Sequence, residues 1–256
     1  MNRIGKSVII FLLILILILC IIIKKKFTEK FISDNKIPKI IHQTWKTNSL
    51  PEKFQRWSKT IKELHPDWEY KLWTDEDNRN FIKKEYPWFL KTYDGYDRNI
   101  KRVDAVRYFY LYHYGGVYID MNFVCLKPLN NLLNYNKPVF GYQRPEINES
   151  DSIANAFMIS PPKNKLFYYL IHNLDKTKNL KVLYATGPNY LTNNINKYKY
   201  NCEVKVLKMP LIYTHIWNEK NPDKLCKDGD NRDCKKKFPN SYTTTYWSGS
   251  WMNKKI

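Results

Sequence analysis

The sequence predicts an α/β domain with a mostly parallel sheet, preceded by one transmembrane helix. Two observations support this fold class. Apolar segments of strand length alternate with segments of helical periodicity over residues 37–256, which is the pattern of a parallel sheet covered by helices. Before them stands an unbroken apolar run, Val8–Ile23. We therefore expect two regions, a membrane anchor with its stalk at residues 1–36 and a folded domain at residues 37–256.

The N-terminal apolar run has the composition of a short membrane span. Its 16 residues are flanked by Arg3 and Lys6 on one side and by Lys24 on the other. As a helix it measures about 24 Å, against about 30 Å for a hydrocarbon core, and Ile4–Ser7 can add a turn. A cleaved signal peptide is the alternative, but lysines rather than a small-x-small site follow the run. We expect an uncleaved anchor, and the flanking charges leave its orientation open.

The elements of the domain follow from hydrophobic periodicity and from end signals. Phe54, Trp57 and Ile61 share one face of the first helix, and Thr74 is a suitable cap for the second. Strands are expected at Ile37–Thr44, Trp68–Trp73, Val117–Ile119, Val139–Gln143, Ala156–Ser160 and Val204–Leu207. Helices are expected from Pro51 to about Leu64, after Thr74, at Ile100–Tyr114, from Pro162 to about Leu174, and from Gly187 onward.

Composition narrows the class of partner. The formal net charge of +19 favours anions such as a phosphorylated small molecule, an anionic lipid or nucleic acid. Nucleic-acid binding is not expected, because the chain has no paired Cys/His finger and no aromatic ribonucleoprotein signature. Cys226 and Cys234 flank a polar loop and could pair in an oxidising compartment. Asn148 begins a glycosylation sequon.

The segment most informative about chemistry joins a helix to a short strand. The predicted helix Ile100–Tyr114 ends at Gly115-Gly116, where two glycines permit a tight reversal. The buried strand Val117–Ile119 follows and carries Asp120 at its carboxyl end. In open α/β sheets that end is where ligands bind. The sequence therefore predicts a ligand site around Asp120.

The polar residues of this segment suit a metal ion and a phosphate. Asp104 and Arg107 lie three residues apart, so they share a helix face. Asp120 and the oxygen of Asn122 suit a hard cation that also holds a pyrophosphate, and Arg107 suits a bidentate contact with phosphate. Spacing alone also fits a helix-surface ion pair and a turn-forming aspartate, so it leaves that purely structural interpretation open.

Four ordered motifs resemble glycosyltransferase family 32, the DXD sugar-binding family. This family includes inositol phosphoceramide mannosyltransferases and yeast initiating α-1,6-mannosyltransferases. The matching motifs are Ile-Pro-Lys-Ile-Ile-His-Gln-Thr-Trp-Lys at residues 37–46, Leu-Trp-Thr-Asp at 72–75, Arg-x-Asp-x-x-Arg-Tyr to Tyr-Gly-Gly-Val-Tyr-x-Asp at 102–120, and Trp-Ser-Gly-Ser-Trp at 247–251. They extend over nearly the whole domain.

The resemblance implies a GT-A-type nucleotide-sugar-binding domain that uses Mn²⁺ or Mg²⁺ and transfers a sugar with retention at the anomeric carbon. It implies metal ligation by Asp120 and Asn122 and catalytic roles for Asp104, Arg107 and Asp120. The donor-binding residues that it implies are Gln43, Thr44, Trp45, Asp104, Arg107, Tyr118, Ser250 and Trp251.

The resemblance also implies partners and a compartment. By analogy with the lipid-directed members, the expected donor is GDP-mannose, with a UDP-sugar as the alternative, and the expected acceptor is a glycolipid or glycan. A single-pass protein of the endoplasmic reticulum or Golgi membrane with a luminal domain is expected. Two positions depart from the family pattern. Asn122 replaces the second carboxylate of the motif, and Thr245-Tyr246 stand where relatives often carry histidines. A non-catalytic sugar- or nucleotide-binding relative is therefore the alternative function.

Overall fold

The computed structural model describes residues 15–24, 36–145, 153–198, 203–217, 226 and 231–249. The chain divides into two units, Met1–Lys36 and Ile37–Ile256. Residues 15–24 of the first unit are helical. Across the described ranges no helix has both the length and the apolar character to cross a membrane. The first part of the predicted anchor (residues 8–14), Asn148, Ser250 and Trp251 lie outside the described residues.

The second unit is built on a six-stranded sheet. Its strands are β1 Ile40–Thr44, β2 Glu69–Trp73, β3 Gly116–Ile119, β5 Val139–Tyr142, β6 Ile153–Ser160 and β7 Lys205–Leu207. They lie in the order β2-β1-β3-β6-β5-β7. Five of these strands run in one direction, and β6 runs against its neighbours β3 and β5. The predicted α/β fold with a mostly parallel sheet is thus confirmed. A separate antiparallel ribbon pairs β4 Phe123–Cys125 with β8 Thr243–Thr245.

The described helices of this unit connect the strands. They are α1 Glu52–Leu64, α2 Asp75–Glu85, α3 Leu90–Asp94, α4 Asn99–His113, α5 Asn130–Leu133, α6 Lys165–Thr177, α7 Val182–Ala185, α8 Pro188–Lys197 and α9 Asn231–Lys237, with a 3-10 turn at Pro87–Phe89. Thr74 caps α2 through a reciprocal bond with Asp77, as its position predicts. Helix α6 begins later than predicted, because Lys163 has a positive φ and Asn164 supplies the cap.

Alternate residues of the central strands enter the cores on the two faces of the sheet. Tyr118 and Met158 pack with α4, α6 and α8 on one face. Val117 and Ile159 pack on the other face with Ile61 of α1. A smaller cluster around the β4–β8 ribbon includes Cys226 and Cys234, which form a disulfide. The cysteine pairing that the sequence left open is therefore present.

The turn between α4 and β3 depends on its two glycines. Gly115 and Gly116 have φ values of 68° and 88°, a region that other residues rarely adopt. A Cβ atom on Gly116 would lie 2.5 Å from the carbonyl oxygen of Ile40 in β1. The ring of His42 also contacts the carbonyl oxygen of Gly115 at 3.0 Å, while its other nitrogen accepts from the Trp73 indole at 3.1 Å. Because neither glycine has a side chain, β3 can lie directly beside β1.

We predict that Gly116→Ala lowers the free energy of unfolding by about 3 kcal/mol, because it combines a strained φ with a backbone clash. Gly95→Ala is the matched control. Gly95 has a φ of −76° at the end of α3, and its added Cβ would meet its nearest neighbour at 3.0 Å. We expect the control to change stability by less than about 1 kcal/mol. Urea unfolding of both variants measures the difference, and equal losses would contradict this account of the turn.

Candidate active site

The side chain of Arg107 lies between two aspartates at the carboxyl end of the sheet. Its guanidinium is 2.9 Å from Asp104 on the same helix and 3.3 Å from Asp120 after β3. It also donates to the carbonyl oxygen of Asn155 in β6 at 2.9 Å. The side chains of Asp104 and Arg107 are almost fully buried, whereas that of Asp120 is 29% exposed. With two carboxylates and one guanidinium, this cluster is negatively charged and open to solvent at Asp120.

The charges of this cluster control its protonation. Burial raises the pKa of Asp104 to about 6, although Arg107 opposes the shift. Burial also raises the pKa of Asp120, again against the effect of Arg107. Desolvation acts to lower the pKa of Arg107, but the two carboxylates raise it above its ordinary value. Arg107 is therefore charged at any pH at which the protein is folded, and it keeps both aspartates more acidic than burial alone would allow.

Tyr118 supports the cluster from within the sheet. Its phenol donates to Asp120 Oδ1 at 2.8 Å and contacts Thr44 Oγ1 at 3.1 Å. Its ring also lies beneath the guanidinium of Arg107, 4.5 Å from the ring centre, which is a cation–π arrangement. One buried side chain thus orients both charged partners.

Gln43 holds the backbone that carries Asp120. Its amide nitrogen donates to the carbonyl oxygens of Ile119 and Asp120 at 3.3 and 3.2 Å. Its amide oxygen accepts from the Tyr70 phenol at 2.7 Å. The backbone N–H of Asp120 donates to Ala156 in β6 at 2.9 Å. Asp120 is therefore held from both neighbouring strands, and both amide hydrogens of the fully buried Gln43 are already engaged.

The residues present fit a divalent cation bound at Asp120 and Asn122. The side-chain oxygen of Asn122 is buried and has no hydrogen-bond partner among the described residues. Such an unsatisfied oxygen is costly without a ligand, and oxygen ligands are those that Mg²⁺ prefers. Within the same ranges there is no group of three or more His, Cys, Asp or Glu side chains placed to hold a metal. The protein thus offers one carboxylate and one amide oxygen, which leaves further ligands to the substrate.

The β4–β8 ribbon brings the C-terminal segment to this turn. Strand β4 begins directly after Asn122, and Tyr246, directly after β8, donates its backbone N–H to the Asn122 carbonyl at 3.0 Å. Trp247 then adopts a positive φ of 43° while its indole donates to the carbonyl oxygen of His215 at 3.2 Å. Strained backbone in a bulky residue persists where surrounding contacts hold it. The ribbon therefore fixes residues 247–249 beside the turn that carries Asp120 and Asn122.

A cavity of about 780 Å³ opens over the cluster. Six of the sequence-predicted site residues line it: Thr44, Trp45, Asp104, Arg107, Asp120 and Asn122. Gln43 and Tyr118 do not line it and instead support its wall. Ser250 and Trp251 lie outside the described residues, but Trp247, Ser248 and Gly249 line the cavity immediately before them.

Residues 51–138 match the family described as "Glycosyltransferase sugar-binding region containing DXD motif". That stretch carries Asp104, Arg107, Asp120 and Asn122. Residues 51–138 are therefore similar to the sugar-binding region of this glycosyltransferase family. The resemblance drawn from the sequence motifs is thus confirmed.

Three named mannosyltransferases are similar to this chain. Inositol phosphoceramide mannosyltransferase 2 of Schizosaccharomyces pombe is 39% identical over 224 residues, covering 85% of this chain and 59% of that protein. Inositol phosphoceramide mannosyltransferase 3 of the same yeast is 44% identical over 162 residues, covering 61% and 44%. The initiation-specific alpha-1,6-mannosyltransferase of Saccharomyces cerevisiae is 30% identical over 149 residues, covering 50% and 31%. The chain therefore spans between 31% and 59% of the length of these relatives.

The cavity has further lining residues that the sequence did not predict. Three of them are basic, Lys46, Arg98 and Arg144, and one is the exposed Trp217. Lys46 directly follows Trp45, a predicted donor-contact residue, so the sequence could have identified Lys46 as a further contact. The others come from loops distant in sequence, and no local pattern identifies them. Together they give the cavity a basic and aromatic rim suited to a phosphorylated ligand that carries a ring.

The raised pKa of Asp104 predicts a pH-dependent contribution to stability. The folded-state pKa of about 6 lies above the usual 3.8, so this contribution is present below pH 4 and is lost as the pH rises through about 6. Asp104→Asn cannot titrate. The unfolding free energy of the wild type relative to this variant should therefore fall by on the order of 3 kcal/mol between pH 4 and pH 7.

Urea unfolding of both proteins across this pH range tests the prediction. Asp97→Asn is the control with the opposite sign. A hydrogen bond from Lys101 lowers the pKa of the exposed Asp97, so the stabilising effect of Asp97 should be lost as the pH falls. A wild-type to Asp104→Asn difference that stays constant with pH would contradict the assignment of a buried, charged Asp104.

Proposed function

We propose that the protein is a GT-A-type, metal-dependent, retaining glycosyltransferase that moves mannose from GDP-mannose to a glycolipid or glycan acceptor. The observation that carries the proposal is the Asp104–Arg107–Asp120 cluster at the wall of a cavity, beside the unsatisfied oxygen of Asn122. A cation and an anionic nucleotide would satisfy that oxygen and balance the basic rim. The named mannosyltransferases to which the chain is similar support mannose as the sugar.

Donor recognition would use the end of β1 and the first turns of α4. Trp45 packs against Phe54, with ring centres 4.5 Å apart, and both line the cavity, so this aromatic pair suits contact with a base. Arg107 and Lys46 place positive charge along the same wall, where phosphate oxygens would bind. Asp104 would accept from a sugar hydroxyl while Arg107 and Thr186 hold its oxygens at 2.9 and 3.4 Å.

Asp120 and Asn122 would hold Mn²⁺ or Mg²⁺ together with the diphosphate of the donor. When bound, the cation supplies positive charge that neutralises the departing nucleoside diphosphate. Tyr118 and Gln43 fix the side chain and the backbone of Asp120, so its carboxylate needs no reorganisation when the donor binds. Retention at the anomeric carbon is compatible with a leaving phosphate that takes the acceptor's proton on the same face. No side chain of the cluster is assigned as a nucleophile.

A membrane-bound position in the endoplasmic reticulum or Golgi, with the domain in the lumen, accompanies the proposal. The Val8–Ile23 run would act as the single anchor. The Cys226–Cys234 disulfide supports an oxidising compartment. A tethered domain of this kind suits an acceptor in the membrane or a glycan in transit through it.

A non-catalytic sugar- or nucleotide-binding protein is the second candidate. It is favoured by Asn122, which removes one negative charge from the metal site, and by the small number of acidic ligands around Asp120 among the described residues. A nucleoside diphosphate supplies its own anionic oxygens, so a weak metal site in the free protein is compatible with either candidate. Turnover of the donor separates the two.

We predict Mn²⁺-dependent hydrolysis of GDP-mannose by the purified protein, in preference to UDP-glucose, UDP-galactose and UDP-N-acetylglucosamine. Asp120→Ala should abolish it. Asp104→Asn and Arg107→Lys keep the size of the side chain or its charge and should lower turnover by roughly 10²–10³. Release of GDP measured for each donor and each variant gives the result.

Asp94→Asn is the matched control, because Asp94 forms an exposed ion pair with Arg79 at 2.8 Å away from the cavity-lining residues. Its turnover should equal that of the wild type. Nucleotide binding without hydrolysis of any donor would overturn the enzymatic proposal in favour of the binding protein. Normal turnover in both Asp104→Asn and Arg107→Lys would show that the cluster is a structural ion pair.

The metal site predicts mutual reinforcement between cation and nucleotide. Because the protein supplies one charged and one neutral oxygen, Mn²⁺ alone should bind weakly. GDP should strengthen Mn²⁺ binding by a coupling free energy of roughly 1–3 kcal/mol, and Mn²⁺ should strengthen GDP binding by the same amount. Asn122→Asp should tighten Mn²⁺ binding without nucleotide and shrink the coupling. Titration calorimetry with Mn²⁺, with GDP and with both measures these affinities. Independent binding of the two ligands, unchanged in Asp120→Ala, would refute the metal-site assignment.

A further inference from the structure

Two segments that border the cavity, residues 180–184 and Trp217, carry exposed apolar side chains. Leu180, Leu183 and Tyr184 are 49%, 39% and 45% exposed, and Trp217 is 45% exposed. We call these four residues the mouth patch. Helix α7 turns Val182 and Ala185 inward, so Leu183 and Tyr184 are left on its outer side. Apolar residues grouped in this way mark an interaction surface more often than isolated ones do.

The mouth patch belongs to the cavity as well as to the surface. Leu183 and Trp217 both line the cavity, although they are distant in sequence. The other members, Leu180 and Tyr184, do not line it. A surface that covers Leu183 and Trp217 therefore also contacts residues that line the cavity.

Lysines are close in sequence to Leu180, Leu183 and Tyr184. Lys176, Lys178 and Lys181 occur within six residues of chain, and Asp175 is the one acidic residue between positions 165 and 185. Asp175 is engaged by Lys178 at 2.8 Å and by the Thr92 hydroxyl. Lys176 and Lys181 are exposed. The segment thus combines exposed apolar residues with net positive charge, a combination that complements an anionic lipid surface.

Hydrogen bonds hold this segment in place from its inner side. The buried amine of Lys101 donates to the carbonyl oxygen of Lys178 at 3.1 Å. At the other end, the phenol of Tyr108 donates to the carbonyl oxygen of Thr186 at 2.8 Å, and Thr186 donates to Asp104. These bonds fix the segment that carries the outer face, and they connect it to the charged cluster.

We propose that the mouth patch and its lysines form an interfacial surface that rests on the anionic face of a lipid bilayer. Leu180, Leu183, Tyr184 and Trp217 would enter the headgroup region while Lys176 and Lys181 contact lipid phosphates. The cavity then opens toward the membrane surface, and a lipid headgroup can enter it without leaving the bilayer. The surface requires anionic headgroups in whichever leaflet faces the domain, and it depends neither on the compartment proposed above nor on which sugar is transferred.

Hydrogen–deuterium exchange of the full chain in nanodiscs tests the proposal. Phosphatidylcholine nanodiscs are compared with nanodiscs that also contain phosphatidylserine. We expect amides at residues 178–184 to exchange at least about tenfold more slowly on the anionic discs, since each basic residue adds attraction to an anionic surface. Lys181→Glu should reduce this lipid dependence, and Leu180→Asp combined with Tyr184→Asp should remove it.

The double variant should keep wild-type thermal unfolding and wild-type donor hydrolysis, because neither side chain lines the cavity. Tyr135→Asp is the matched control. Tyr135 is 37% exposed and lies beside Lys205 on β7, and its substitution should leave the protection of residues 178–184 unchanged. Equal exchange on both kinds of disc in the wild type would overturn the proposal, as would equal protection in the double variant. Donor hydrolysis in the same samples reports separately on the proposed enzymatic function.

Discussion

The buried guanidinium of Arg107 is the group on which the candidate site depends. It lies within 2.9 Å of Asp104 and 3.3 Å of Asp120, and it donates to the backbone of Asn155. A carboxylate removed from water costs several kcal/mol unless an opposite charge accompanies it, so two aspartates could not remain charged at this position without Arg107. One side chain therefore joins helix α4 to the carboxyl end of β3 and to strand β6. The same side chain leaves an excess negative charge that faces the cavity.

The rest of the site follows from keeping this cluster in one arrangement. Tyr118 bonds to Asp120 and lies under Arg107, and Gln43 holds the backbone of Asp120. Gly116 allows β3 to approach β1 closely enough for these bonds to form. A preorganised cluster suits stabilisation of a charge that develops on a departing phosphate, since its groups need not reorient during the reaction. The buried oxygen of Asn122 has no hydrogen-bond partner among the described residues, and it lies beside the cavity, so it is available to a ligand.

Local patterns in the sequence predicted much of the fold and of the candidate site, whereas the remaining features depend on tertiary contacts. Helical spacing put Asp104 and Arg107 on one face, and the two glycines with the strand after them put Asp120 at the carboxyl end of the sheet. Periodicity could not reveal that β6 runs antiparallel, because both of its faces are buried along its whole length. Nor could it assign the supporting position of Gln43, which depends on β1 lying beside β3, or bring Trp217 to the cavity. Such contacts arise from chain segments that only the folded topology brings together.

Anomalous diffraction from crystals of the protein grown with Mn²⁺ and GDP tests most directly whether this cluster is the centre of the active site. We predict one manganese peak between the side chains of Asp120 and Asn122, with the diphosphate of GDP on the same ion. Arg107 should keep its contacts to both aspartates in that complex. A manganese peak away from Asp120, or GDP bound outside the cavity with Asn122 still unsatisfied, would contradict the account.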